Sequence, residues 1–120
     1  MPTITPMLHV PDIPATIAWY GSIGFHVIDT AEEEGGMAWA MLAYGGARLM
    51  LDCGGRASDA PRRDADLYVE VEGVDALFAQ LPEGVDVFEG LHDTFYGMRE
   101  FIVRDNNGFW LTFGEPLAQR

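Results

Sequence analysis

The chain has 120 residues, 48% of them hydrophobic and 12% aromatic, which is typical of one compact domain with one core. Nineteen acidic residues oppose seven arginines, and this net charge of −12 argues against nucleic acid or an anionic membrane surface as a partner and favours a cationic ligand. No segment is long and apolar enough to span a bilayer, and no signal-peptide pattern is visible. The single cysteine, Cys53, fits a cytoplasmic protein and is expected to be buried at a strand end.

The first half of the chain predicts one strand, one helix and three further strands. Asp12 is a helix cap, Pro14 is tolerated in the first turn, and Ile13, Ile17 and Tyr20 line one helix face. The exposed acidic run 32–34 is expected to be solvated. The strands are predicted at residues 5–10, 25–29, 37–43 and 47–52.

The second half repeats this order after a segment, residues 54–64, that has no periodicity and is predicted to be a linker. Val74, Leu77, Phe78 and Leu81 have helical spacing and precede Pro82, which ends the helix. The strands are predicted at residues 66–71, 85–89, 99–104 and 109–113.

The two halves correspond to each other at a nearly constant offset. Ile13 lies 61 residues before Val74, and Leu49 lies 62 residues before Leu111. A unit of about 60 residues is marginal alone, so the halves are expected to share a core or to pair across a dimer. The sequence therefore predicts an α+β fold, a single domain of two βαβββ modules (residues 1–53 and 65–120). Their curved mixed sheets are expected to surround a cleft, with the helices on the outer face.

Alternation along the strands assigns the two faces of each sheet. Apolar residues expected beneath the helices are Pro6, Leu8, Val10, Leu49, Leu51, Leu67, Val69, Val71, Phe101, Val103, Leu111 and Phe113. The opposite face mixes aromatic and acidic side chains, as a ligand-binding face does. Candidate ligand contacts on that face are His9, Trp39, Met50, Asp66, Tyr68, Glu70, Glu100, Ile102, Trp110 and Thr112. For Glu100, the alternative roles are an ion pair with Arg99 or Arg104, or a local hydrogen bond that holds the Gly97 loop.

Several short motifs occur in a fixed order along the chain. The opening 8–12, "LHVPD", is followed by Trp19-Tyr20 and "IGF" at 23–25. This order resembles the beginning of the vicinal oxygen chelate superfamily, which contains glyoxalase I, extradiol dioxygenases and bleomycin resistance proteins. The segments "GMREF" at 97–101 and "RDNNG" at 104–108 resemble the ending of the bleomycin-resistance branch. This chain has Asn106 where proline is usual and an additional Met98.

The resemblance implies where a metal ion would bind in the enzymes of the superfamily. The corresponding positions here are Thr5, Met50, Asp66 and Thr112. A transition-metal site needs several histidine or carboxylate ligands at about 2.0–2.2 Å. We therefore expect no metal ion, no cofactor and no catalytic residues of the usual kind.

The function that the resemblance implies is the binding of a small molecule, such as a cationic aromatic antibiotic, in the cleft of a homodimer. Whether the two modules pair within a chain or across the dimer is open. One alternative is a metal-dependent glyoxalase or dioxygenase with nonstandard ligands, for which His9 is the first candidate. Another is a binding protein for an endogenous metabolite.

Overall fold

The computed structural model describes residues 2–119 and divides the chain into two compact units, the first ending at Ser58 and the second beginning at Asp59. Within the described residues each unit contains one four-stranded mixed sheet and one α-helix in the order βαβββ. The predicted α+β class and the repeated pattern are confirmed. No helix among these residues has the length and apolar character needed to cross a membrane.

The first unit is built around a sheet with the strand order β1-β4-β3-β2. Its elements are β1 (Met7–His9), α1 (Ile13–Ser22), β2 (His26–Glu33), β3 (Gly36–Tyr44) and β4 (Ala47–Asp52). β1 runs parallel to β4, and the other pairs are antiparallel. The helix begins as predicted, because the Asp12 carboxylate accepts a hydrogen bond from the backbone N–H of Ala15 at 3.0 Å.

The second unit has the equivalent strand order β5-β8-β7-β6, again with the first pair parallel. Its elements are β5 (Asp66–Glu70), α2 (Val74–Ala79), β6 (Asp86–Asp93), β7 (Met98–Arg104) and β8 (Trp110–Pro116), followed by a 3-10 turn (Leu117–Gln119). The residue before α2 is Gly73, which has no side chain to cap the helix. The buried Glu115 of β8 replaces that cap, because its carboxylate accepts the N–H groups of Gly73 and Val74 at 2.8 and 3.3 Å.

Aromatic side chains fill the core of each unit. In the first unit Tyr20 of α1 packs edge-on against Phe25, with ring centroids 5.3 Å apart. In the second, Phe101 of β7 lies 5.1 Å from both Phe78 of α2 and Phe113 of β8. Burying each such side chain contributes about 1.5–3 kcal/mol to folding, so these contacts stabilise helix and sheet together.

The predicted apolar faces are confirmed for most of their members. The buried residues are Leu8, Val10, Leu49, Leu51, Val69, Phe101, Val103, Leu111 and Phe113. Leu67 and Val71 are half-buried, and Pro6 is exposed, so its expected place beneath a helix is wrong. Pro6 precedes the first residue of β1, and alternation therefore does not govern its side chain.

Three predicted ends of strands and helices are wrong, and so is the predicted burial of Cys53. β2 and β6 each continue four residues beyond the predicted end, because the last strand of a sheet tolerates charged side chains on both faces. α2 ends at Ala79, before Leu81. Cys53 is exposed rather than buried, since it lies one residue beyond the end of β4.

Candidate functional site

The face of the second sheet that α2 leaves free carries seven of the ten candidate residues. Strand register aligns them in rows across β5, β8 and β7. These rows are Asp66–Trp110–Arg104, Tyr68–Thr112–Ile102 and Glu70–Gly114–Glu100. Residues directly opposite one another in a sheet project to the same side. The fold therefore brings Asp66, Tyr68, Glu70, Glu100, Ile102, Trp110 and Thr112 onto one face of one unit.

Glu100 lies in the third of these rows and is only 2% exposed. Its Oε2 accepts a hydrogen bond from the Tyr68 hydroxyl, and its Oε1 accepts one from the Tyr96 hydroxyl, both at 2.7 Å. Of the two alternative roles, the ion pair with a neighbouring arginine is wrong, whereas a local hydrogen bond beside Gly97 is present through Tyr96. Arg99 instead pairs with Asp75 and Asp93, and Arg104 pairs with Asp86.

The two tyrosines remain hydrogen-bond donors over a wide pH range. Partial burial, and then the hydrogen bond to Glu100, raise the pKa of Tyr68 well above its usual value. The hydrogen bond to Glu100 is the main cause that raises the pKa of Tyr96. Removing either proton would place a second negative charge beside the carboxylate. About half of each tyrosine is exposed. The hydroxyl groups are therefore fixed by hydrogen bonds, while part of each ring is exposed to solvent.

Two backbone features position these rings. Gly114 lies under the Tyr68 hydroxyl, and a Cβ atom at this position would overlap it. Tyr96 lies in the loop between β6 and β7, which Thr94 closes by accepting the Met98 N–H with its hydroxyl at 3.0 Å. Sequence reasoning missed Tyr96, because alternation does not extend into a loop. The only sequence signal for this loop is the glycine after Tyr96. Gly97 has a φ of 86°, which glycine adopts much more readily than other residues.

Trp110 is covered by side chains of its own unit. The Arg62 guanidinium lies 4.2 Å from the centroid of the indole ring, and the Phe88 ring lies 4.2 Å from it. The indole N–H donates to the backbone oxygen of Pro61 at 3.2 Å, and Arg62 forms an ion pair with Asp66. Arg62, a residue of the predicted linker, therefore already provides a positive charge to Asp66 and Trp110 at this end of the face.

The remaining three candidates lie in the first unit. Met50 is paired in register with Met7 and Met41, so three methionines form a row across β1, β4 and β3. In the adjacent row Asp52 is paired with His9 and Trp39. His9 Nδ1 lies 3.7 Å from a carboxylate oxygen of Asp52, and both side chains are partly exposed.

The side chains at the implied metal positions do not fit a transition-metal centre. Asp66 is engaged by Arg62, and Thr112 lies between Tyr68 and Ile102. Within residues 2–119, no three His, Cys, Asp or Glu side chains converge as a metal site requires. Threonine and methionine do not replace the missing histidines and carboxylates. The arrangement supports recognition by aromatic rings and charge.

Comparison with known proteins identifies one family. The model of the glyoxalase/bleomycin resistance protein/dioxygenase superfamily matches residues 4–113 of the chain. A search of curated proteins finds no match.

Solved structures share the fold across almost the whole chain. TioX from Micromonospora sp. ML1 is 23% identical, with a TM-score of 0.76, and the match covers 95% of each chain. A bleomycin-binding protein complexed with bleomycin is 17% identical, with a TM-score of 0.72 and 96% of this chain and 98% of that chain covered. A glyoxalase-related enzyme from Clostridium phytofermentans is 20% identical, with a TM-score of 0.75 and coverage of 97% and 95%. At these identities the likeness shows the fold alone.

Proposed function

The chain belongs to the glyoxalase/bleomycin resistance protein/dioxygenase superfamily, and from this premise we propose that it binds a small organic cation without a metal ion. One observation carries the proposal. The free face of the second sheet combines half-exposed aromatic rings with the buried carboxylate of Glu100, whose two oxygens accept the hydroxyls of Tyr68 and Tyr96. Such a face attracts positive charge and offers flat apolar surface.

The donor set argues against the metal-dependent enzymes of the superfamily. Three of the four implied ligand positions hold Thr5, Met50 and Thr112, and the fourth, Asp66, pairs with Arg62. Metal analysis of protein purified without chelators tests this part of the proposal. We expect far less than one ion per chain. About one tightly bound ion per chain would overturn it in favour of an enzyme with nonstandard ligands.

The structural neighbour that was solved with bleomycin makes a cationic aromatic antibiotic a reasonable ligand class. On this proposal the protein sequesters the antibiotic in the cytoplasm, and an endogenous metabolite remains the alternative. Tryptophan fluorescence titration against bleomycin, other cationic aromatic antibiotics and neutral aromatic metabolites separates the two. We expect saturable binding of a cationic compound. Binding of neutral compounds alone would contradict the proposed class.

Matched variants connect that titration to the proposed face. Tyr68→Ala removes a half-exposed ring beside Glu100 and should weaken binding about tenfold, as expected for the loss of one well-placed aromatic contact. Glu72→Gln changes an exposed acid just beyond β5 and serves as the control. His9, Trp39 and Met50 remain predicted ligand contacts, and alanine variants of each test them in the same assay.

We also propose that the protein is a homodimer. β2 and β6 are the last strands in the order of their sheets, and each exposes large apolar side chains. These side chains are Val27, Ile28, Val87 and Phe88. Apolar groups on an unpaired strand favour association with another chain. Light scattering at micromolar concentration should give twice the 13.2 kDa mass of one chain, and a monomer would contradict the proposal.

A further inference from the structure

We propose that Tyr68, Tyr96 and Glu100 form a binding site for a methylated, quaternary ammonium group. This inference rests on the proposed function, since it specifies the charged group of the ligand and the place where that group binds. All three residues belong to the second unit, and two hydrogen bonds of 2.7 Å join them.

The first argument is charge. Glu100 is almost fully buried, yet within residues 2–119 no basic side chain forms an ion pair with it. The arginines near this face are engaged with other carboxylates: Arg62 with Asp66, Arg99 with Asp75 and Asp93, and Arg104 with Asp86. Burying a carboxylate without a cation is costly, and its field is weakly screened there. A cation supplied by the ligand would balance this charge.

The second argument is the arrangement of the rings. The hydroxyl of each tyrosine is tied to a different oxygen of Glu100, so both rings are anchored at their polar ends. Their remaining surface is exposed, 51% for Tyr68 and 56% for Tyr96. Aromatic faces attract cations within about 6 Å of the ring centroid. Two anchored rings beside a buried carboxylate therefore provide the elements of an aromatic cage.

The third argument concerns the kind of cation. A metal ion needs several oxygen or nitrogen atoms in direct contact, and Glu100 brings a single carboxylate that is almost fully buried and already accepts two tyrosine hydroxyls. A primary ammonium group brings three donors that each need an acceptor. A quaternary ammonium group carries no N–H donor and needs only negative potential and aromatic surface. The site therefore fits a methylated ammonium better than a metal ion or a primary amine.

Binding of choline, followed through the tyrosine ring signals in NMR titrations, tests the inference. Its carbon isostere 3,3-dimethylbutan-1-ol has the same shape without the charge, and ethanolamine has the charge without the methyl groups. We expect choline to bind at least about fivefold more tightly than either, with the shifts concentrated at Tyr68 and Tyr96. Equal affinities for choline and the isostere, or tighter binding of ethanolamine, would overturn the proposal.

Variants separate the site from the fold. Glu100→Gln keeps the shape and removes the charge, so choline should bind about tenfold more weakly while the isostere is unaffected. Because Glu100 is buried, Tyr96→Leu is a second variant at an exposed loop position, and it should also reduce choline binding. Gly114→Ala displaces the Tyr68 hydroxyl without changing any site side chain. Glu72→Gln is the control, and a loss of choline affinity in this variant equal to that of Glu100→Gln would contradict a local site.

The outcomes also distinguish this inference from the proposed function. If bleomycin and the other cationic panel compounds bind but choline does not, the ammonium site is wrong and the proposed function stands. If choline binds as described but no organic panel compound does, the ammonium site stands and the proposed ligand class is wrong.

Discussion

Gly55 shows at the scale of one residue how closely the chain passes over β1 after leaving β4. Its N–H donates to the backbone oxygen of Val10 at 3.2 Å, and a Cβ at this position would overlap the backbone of His9. Because backbone atoms cannot rotate away, Gly55→Ala should lower the free energy of unfolding by about 1–3 kcal/mol. Urea denaturation measures the change. Gly46→Ala, where a Cβ meets open space, is the control and should be nearly neutral; equal losses would contradict the argument.

The tyrosines bound to Glu100 predict how stability responds to alkaline pH. Their folded-state pKa values lie above the ordinary 10.0, so the folded protein keeps two protons that the unfolded chain releases. The stabilisation is therefore complete below about pH 10 and is lost as the pH rises through the folded-state values. Tyr68→Phe and Tyr96→Phe should each flatten the fall in melting temperature above pH 10. An unchanged slope in both variants would show that the hydrogen bonds do not matter to alkaline stability.

At the scale of elements, the two helices begin by different means. α1 is capped by Asp12, three residues from the N–H that it binds, whereas α2 depends on Glu115, about forty residues away in the chain. Glu115→Ala would leave the Gly73 and Val74 N–H groups without this acceptor, and should cost about 1–3 kcal/mol. Asp12→Ala should cost about 1 kcal/mol. Equilibrium urea unfolding of both variants checks the order, and a larger loss in Asp12→Ala would contradict it.

The same contrast explains how much of the fold the sequence could predict. Local signals predicted the eight strands and two α-helices of the described residues, because alternation and the Asp12 cap depend on neighbouring residues. The ends of β2 and β6 were wrong, since a charged run such as 32–34 can extend an edge strand as easily as a loop. The cap from Glu115 is invisible in the sequence because it depends on tertiary structure.

The face that the candidate residues share was predictable to the same extent. Alternation placed Tyr68 and Glu100 on one face, and the register of β5, β8 and β7 agrees. Tyr96 was missed because it reaches Glu100 from a loop, and the contact of Arg62 with Trp110 was missed because the linker has no periodic pattern. A ligand that stacks on Trp110 would have to displace Arg62, so we expect the open rings of Tyr68 and Tyr96 to be the first contacts.

At the scale of the whole molecule, the net charge of −12 should draw any cation toward the protein, and salt should weaken that attraction. Screening shortens the range of the field from about 10 Å at 0.1 M ionic strength to about 3 Å at 1 M, but it acts less on buried charges. Glu100 is 2% exposed, whereas Glu72 and Glu83 are exposed acids of the same unit.

These two kinds of charge predict different responses of choline binding to salt. Glu100→Gln should weaken choline binding at every salt concentration, because the buried carboxylate acts at short range. The double variant Glu72→Gln and Glu83→Gln should weaken it slightly at 0.05 M salt and leave it unchanged at about 1 M, where the Debye length is about 3 Å. Calorimetric titrations across this range, with the uncharged isostere as the salt-independent control, measure both effects. If high salt abolished the difference between the wild type and Glu100→Gln, the carboxylate would be acting as one more surface charge, and the buried ammonium site would be refuted.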